Sequence, residues 1–324
     1  MPRQWVHGPN LFIVGAPKCG TTSMAAYLDQ HPDIYFAQRK EPFFFCSDLP
    51  HAKAVTDEED YLGLFERGKG KRYRGEGSTW YLYSKKAPTA IKKASPDARI
   101  IIMLRDPIDL IVAQFQYNVI NGNENIEEIE KALDAEPERL AGRLIPPSNR
   151  IAAALHYTAL VDFAPQIQRY WDLFGKDRVH VILFDQLKQD TEGAVRKSFD
   201  FLDLPSPTTL DLTPENETSR QSTRRFTGLY RAMVTKRGLM GQAKRVLPEQ
   251  LKNAVWKVMD GLNRTPGKPP TKLDLPPAVR AALAVKLRPG VDQLARMLDV
   301  DLSQWAHLDP GSLQAKQCVM RAGT

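Results

Sequence analysis

Lys18, Cys19, Gly20, Thr21, Thr22 and Ser23 bring a cation, a residue without a side chain and three hydroxyls together in consecutive positions. That order suits an anion. The apolar β-formers Leu11-Phe12-Ile13-Val14 run into the group, and Gly15 and Gly20 let the backbone approach a ligand closely. A helix over about 21–30 would turn its free N–H groups and the positive end of its dipole back into the loop. Thr21, Thr22 and Ser23 stand where helix N-caps are favoured. The stretch therefore reads as a phosphate cradle, the other reading being a strand–loop–helix connection whose polar residues only cap a helix. It is not a Walker A loop, which places its lysine directly after the second glycine, and the chain contains no Gly-Lys-Ser or Gly-Lys-Thr.

Two more groups could do chemistry. In Arg39-Lys40-Glu41-Pro42-Phe43-Phe44-Phe45 a carboxylate stands beside a cation and ahead of three aromatics. Burial against the rings raises a carboxyl pKa and the adjacent ammonium lowers it, opposing pulls that tune a general base near neutrality. The same residues also read as a solvated Glu41 in a loop whose Phe43 to Phe45 fill the core. Arg105-Asp106-Pro107 closes the run Arg99 to Leu104, a fully apolar strand of the kind parallel sheets bury, with a helix-starting proline after it. Arginine at such a strand end can meet a phosphate. Asp106 also reads as a magnesium ligand of Walker B type, against which stand the missing Walker A lysine and the preceding arginine. His156, inside a partly apolar helical pattern, reads more readily as structural than catalytic.

Gly15-x-x-Lys18-x-Gly20-Thr21-Thr22-Ser23 resembles the 5′-phosphosulfate loop of the PAPS-dependent sulfotransferases, of carbohydrate-type and bacterial kinds, at every fixed position. The resemblance implies that Lys18 contacts the 5′-phosphate and bridging oxygen, and that Cys19, Gly20, Thr21, Thr22 and Ser23 complete the cofactor site. It implies that Glu41, at the family's distance after the cradle and before paired aromatics, takes the acceptor's proton, and that Arg105 in Arg-Asp-Pro binds the 3′-phosphate. The family's serine eight residues after that arginine is Ala113 here, and Arg224 or Arg225 is the candidate to replace it. A second departure is Glu76-Gly77-Ser78-Thr79-Trp80-Tyr81, where relatives have Glu-Lys-Ser/Thr-Pro-x-Tyr; the lysine near the sulfuryl group is missing. Trp80 and Tyr81 then line an acceptor pocket or belong to the core. The resemblance spans about 11–205, with a looser tail in which Glu215 to Arg220 matches a loop over the nucleotide and Pro289 to Trp305 a closing helix.

The elements that must position these groups alternate along the chain. Helical patterns occupy 56–67, 108–121, 125–135 and 191–202; extended ones occupy 34–36, the start of 72–83, 99–104 and 176–186; and 150–174 reads as one long helix or a pair. The fold class is an α/β, P-loop-like three-layer sandwich, a mostly parallel central sheet flanked by helices, with a helical C-terminal annex. A length of 324 residues is read as one domain, with an α/β core over about 11–205 and a basic annex over about 206–324.

A net charge of +7 is concentrated: Thr218 to Pro248 has no acidic residue but carries Arg220, Arg224, Arg225, Arg231, Lys236, Arg237, Lys244 and Arg245. Apolar residues at helical spacing make this two basic amphipathic helices, whose basic face is solvated, holds an anionic cofactor or acceptor, or touches a membrane surface. Three cysteines give no metal spacing or disulfide framework, and the first apolar run is too short for a signal peptide or membrane span. A cytoplasmic location is the expectation.

The function expected is metal-free, in-line transfer of a sulfuryl group from PAPS to a hydroxyl or amine of a carbohydrate, lipid or small natural product, with Glu41 as base, Lys18 assisting and PAP as product. The rivals are a P-loop kinase or NTPase, and a basic surface protein for membrane or nucleic acid. No nucleic-acid module is recognised, so no nucleic-acid partner is expected. Acceptor and oligomeric state are not legible.

Overall fold

The computed structural model describes residues 5, 7–51, 53–214 and 273–306, and the backbone of 223–224 and 264–265. The described chain falls into two compact units.

The first unit holds Met1–Ile111, Ala159–Glu215 and Pro276–Thr324 and is built on a five-stranded sheet. Its strands are β1 (Leu11–Gly15), β2 (Ile34–Phe36), β3 (Tyr73–Gly77), β4 (Arg99–Leu104) and β5 (Val179–Leu183). Every pairing is parallel and the order is β2-β3-β1-β4-β5. All of β1 and all of β4 after Arg99 are buried, as the uninterrupted apolar runs require of strands covered on both faces. Around the sheet lie α1 (Thr21–Leu28), α2 (Glu58–Gly63), α3 (Ala87–Ala94), the start of α4 (Pro107–Ile120), and further helices below.

Chain order reverses across the β1–β4 pair: β1 is followed outward by β3 and β2, β4 by β5. The carboxyl ends of β1 and β4 are therefore the switch point at which open α/β sheets bind ligands. Ile13 pairs with Ile101 and Gly15 with Ile102, and the Ala16 N–H donates to the Met103 carbonyl at 2.6 Å. Lys18 and Arg105 thus leave neighbouring strand ends on one edge of the sheet.

The second unit, Val112–Thr158 and Asn216–Leu275, contains most of α4, then α5 (Ile129–Asp134) and α6 (Glu136–Leu140), and the antiparallel pair β6 (Thr223–Arg224) and β7 (Arg264–Thr265). At its centre the fully buried Arg139 forks onto Glu124 at 2.6 and 2.7 Å, and the Tyr157 hydroxyl donates to the same carboxylate at 2.9 Å. The fork is bidentate and Nη1 also reaches the Ala132 carbonyl at 3.4 Å, while Arg139 Nε is buried without a hydrogen-bond partner among the described residues.

Several elements are shorter than their patterns. The segment 56–67 is α-helical only as α2, capped by Asp57, whose Oδ1 accepts the Asp60 N–H at 2.9 Å, and a 3-10 turn follows at Glu66–Gly68. The 150–174 pattern breaks into α7 (Tyr157–Leu160) and α8 (Phe163–Phe174). After β5 come α9 (Phe184–Gln189), where the sequence pattern carries the strand on to 186, and α10 (Thr191–Phe201). The closing helix, α11, begins earlier than the resemblance implies, at Pro277, and runs to Leu298 through Pro289. A proline in the first turn costs no hydrogen bond, which is why the helix can start there. The two amphipathic helices expected over 218–248 lie outside the described residues, apart from the short β6.

Candidate active site

Gly20 is the N-cap of α1, in left-handed backbone with φ 80° and no side-chain cap. This corrects the expected hydroxyl caps: Thr21, Thr22 and Ser23 form the first turn, and its amides open toward the loop. A Cβ on Gly20 would come within 2.9 Å of the Phe184 ring, and one on Gly15 within 2.4 Å of the Thr79 carbonyl. Only glycine fits the two turns of the cradle. The Cys19 thiol is buried and donates to the Pro17 carbonyl at 3.4 Å, and burial pushes its pKa up to about 12.

Lys18 stands in the loop with φ 62°, a backbone geometry that only a closely constrained turn imposes on a residue with a side chain. Burial holds its pKa below the ordinary ammonium value; the Arg105 charge adds to the lowering, and Cys19 and Glu41 oppose it. Lys18 is close enough to feel both the Arg105 guanidinium and the Glu41 carboxylate.

Glu41 reaches this place from the loop after β2. Its N–H donates to the Gly77 carbonyl at 3.2 Å, its φ is 53°, and its Oε1 accepts the Thr79 hydroxyl at 3.1 Å. Burial raises its pKa, while the Thr79 hydrogen bond, Lys40 and Lys18 lower it in turn. The opposition between burial and Lys40 was legible in the sequence; the Thr79 contact was not. Lys40 turns toward the cradle and donates to the Thr22 hydroxyl at 2.7 Å. Phe43 and Phe45 are buried as their aromatic run implies, but Glu41 is not the solvated residue of the alternative reading: burial raises its pKa, and Lys18 of the cradle acts on it.

Arg105 lies at the end of β4 with its guanidinium over the Phe184 ring, 5.4 Å from its centre, and Nη2 on Asp109 at 3.0 Å. Its Nε is buried without a hydrogen-bond partner among the described residues. Asp106 is engaged otherwise: one oxygen accepts the Asp109 N–H at 3.0 Å and the other the Ala306 N–H at 2.7 Å. Its task here is to start α4 and to anchor the segment after α11, where Trp305 Nε1 also donates to Asp185 at 3.1 Å.

The remaining candidates fall elsewhere. Tyr81 is fully buried and belongs to the core, as does Trp80. Ala113 lies half-buried in the second turn of α4. In the second unit His156 contacts the Arg139 carbonyl at 3.3 Å, and burial lowers its pKa. Arg224 is paired through its backbone to Arg264, and its side chain is outside the described part. Among the described residues no group of His, Cys, Asp and Glu has the arrangement of a metal site, and no helix is long and apolar enough to cross a membrane.

A five-stranded parallel sheet with a glycine-bounded loop, a helix N-terminus without a side-chain cap and two cations at its switch point defines an α/β fold of the doubly wound type. Residues 8–234 match the sulfotransferase domain, and the chain belongs to that family. It is similar to human carbohydrate sulfotransferase 15, 23% identical over 248 residues that cover 60% of this chain and 44% of the relative. Mouse heparan sulfate glucosamine 3-O-sulfotransferase 3B1 is 24% identical over 196 residues, 60% of this chain and 46% of the relative. Matched segments thus span less than half of these relatives. Among solved structures, a sulfotransferase from Alicyclobacillus acidocaldarius superposes with a TM-score of 0.68 at 27% identity, covering 93% of this chain and all of that one.

Proposed function

We propose that the protein transfers the sulfuryl group of PAPS to a hydroxyl or amine acceptor. The observation that carries the reading is the convergence of Glu41, Lys18 and the N-terminus of α1 on one strand edge, each of the two side chains shifting the other's pKa. PAPS fits the residues present: the cradle excludes even a Cβ at Gly15 and Gly20, and the buried Arg105 Nε is an unused donor among the described groups. When bound, PAPS supplies the activated sulfuryl group. Lys18 and the Gly20 to Ser23 segment hold the 5′-phosphate end and stabilise charge on the departing oxygen, and Arg105 takes the 3′-phosphate. Glu41, partly desolvated and aimed by Thr79, removes the acceptor's proton as its oxygen or nitrogen attacks sulfur in line. As in phosphoryl transfer, positioning and electrostatics carry the catalysis. The acceptor class is carbohydrate, lipid or small natural product. Incubation with sulfur-labelled PAPS and extracts of each class, followed by mass identification of sulfated products, tests the reading. Label in no acceptor and no release of PAP would reject it.

A further inference from the structure

Glu76 is a fully buried carboxylate next to the site. It sits near the end of β3, and its surroundings are hydroxyls. Oε1 accepts the Tyr61 hydroxyl at 2.9 Å, Oε2 accepts the Ser78 hydroxyl at 3.2 Å, and the Tyr81 hydroxyl is a third partner. A hydroxyl has one proton to donate, so each of these that donates to Glu76 leaves its lone pairs for something else.

Two of them use those lone pairs on one loop. The Ser78 oxygen accepts the Phe43 N–H at 3.2 Å, and the Tyr81 oxygen accepts the Phe45 N–H at 3.2 Å. The loop they grip is the one that bears Glu41. It has left-handed backbone at Glu41 and Phe43, with φ 53° and 55°, on either side of Pro42. Non-glycine residues hold such backbone only where surrounding structure imposes it. Two acceptors oriented by a common carboxylate are part of that constraint.

We propose that Glu76 is a positioning residue for Glu41: through the Ser78 and Tyr81 hydroxyls it fixes the loop that aims the Glu41 carboxylate. The proposal rests on Glu41 being the base. Burial raises the pKa of Glu76 to about 7, the Tyr81, Tyr61 and Ser78 hydrogen bonds lower it, and Glu41 raises it, so the two carboxyls interact. The titratable groups that face Glu76 are Glu41, Tyr61, Tyr81, Cys46 and Tyr170. All but Glu41 keep their protons at neutral pH, because burial pushes each of these thiol and phenol pKa values upward.

The test compares Glu76→Gln, Ser78→Ala, Tyr61→Phe and Glu41→Gln in the full chain. Glutamine must offer an N–H to at least one hydroxyl that now donates, which reverses that link; alanine removes the Phe43 acceptor while leaving Glu76 in place. Tyr61→Phe removes a Glu76 hydrogen bond that grips no backbone of the loop, and it keeps the ring that stacks on Phe44 at 4.2 Å and meets Phe45 at 5.5 Å. Two readouts need no acceptor: release of PAP from PAPS by transfer to water across pH, and carbon-13 titration of labelled glutamate carboxyls, the Glu41 signal being the one lost in Glu41→Gln. The expected result is a fall in PAP release of tenfold or more for Glu76→Gln and Ser78→Ala with PAP affinity within twofold of wild type. Tyr61→Phe should keep its rate. A loosened loop loses the Thr79 hydrogen bond to Glu41, so the Glu41 titration should also move to higher pH in both Glu76→Gln and Ser78→Ala. Wild-type rates and an unmoved Glu41 titration in Ser78→Ala and Glu76→Gln overturn the proposal, as does an equal loss in all three variants, which marks a merely structural network. Should Glu76→Gln fail to fold, Ser78→Ala against Tyr61→Phe decides alone. If Glu41→Gln keeps the wild-type rate, the base assignment fails, and the carboxyl titration still decides whether Glu76 controls Glu41.

Discussion

Thr79 Oγ1 donates a hydrogen bond to Glu41 Oε1 at 3.1 Å, joining the loop after β3 to the loop after β2 beside the cradle. Of the influences that lower the Glu41 pKa against burial, this one is the largest. A hydroxyl that stabilises the ionised carboxylate also aims it. Thr79→Val keeps shape and removes the donor, so the Glu41 pKa rises. The acid limb of PAP release should accordingly move to higher pH in this variant. A pH–rate profile checks it, and an unmoved limb would mean that Thr79 does not act on the ionising group.

Glu41→Gln retains size and polarity but cannot accept a proton. PAPS turnover should fall by about 10²–10⁴, the usual contribution of a positioned base, with PAP affinity nearly unchanged. Single-turnover measurement is the proper check, because product release often limits steady-state rates. Near-normal chemistry in this variant would send the search for the base elsewhere.

The buried Glu76 makes stability depend on pH in an unusual direction for a carboxylate. Its folded pKa is raised from 4.5 to about 7, so its stabilising contribution is complete below the unfolded value and is lost as pH rises through about 7. The loss is on the order of 3 kcal/mol, since a tenfold change in proton affinity corresponds to about 1.4 kcal/mol. Glu76→Gln lacks this titration. Denaturant unfolding of the two proteins should therefore show their difference moving in the variant's favour as pH rises from the acid side to above neutrality. A difference independent of pH would mean that Glu76 is not buried in the form described.

The cradle and the Arg105 strand end were legible because each is continuous in the chain: an apolar strand, a turn and a helix start are local events with local signals. Neighbouring strand ends then follow from parallel topology. Thr79 and Glu76 were not legible as partners of Glu41, since their contacts cross 38 positions in one case and pass through Ser78 and Tyr81 in the other. Nothing in a single sequence pairs residues so far apart. The missing lysine at Gly77 was visible as a departure, but the approach of Lys40 to Thr22 depends on how the β2 loop folds back. Hydroxyls at 21–23 attracted a capping assignment by propensity, yet the left-handed backbone at Gly20 makes that glycine the cap. The apolar rhythm of 150–174 fits one long helix or a pair, and the break between α7 and α8 makes it the pair. The buried Glu124–Arg139 pair likewise gave no sign in sequence, being two ordinary charges among many.

Whether this strand edge grips PAP is decided by calorimetric titration of PAP into the full chain with a metal chelator present. Binding that ATP does not compete away is expected, weakened by about 1.5–3 kcal/mol in both Lys18→Ala and Arg105→Ala, the scale of hydrogen bonds to charged groups. Wild-type affinity in both variants, or nucleotide binding that requires magnesium and prefers ATP, would contradict it.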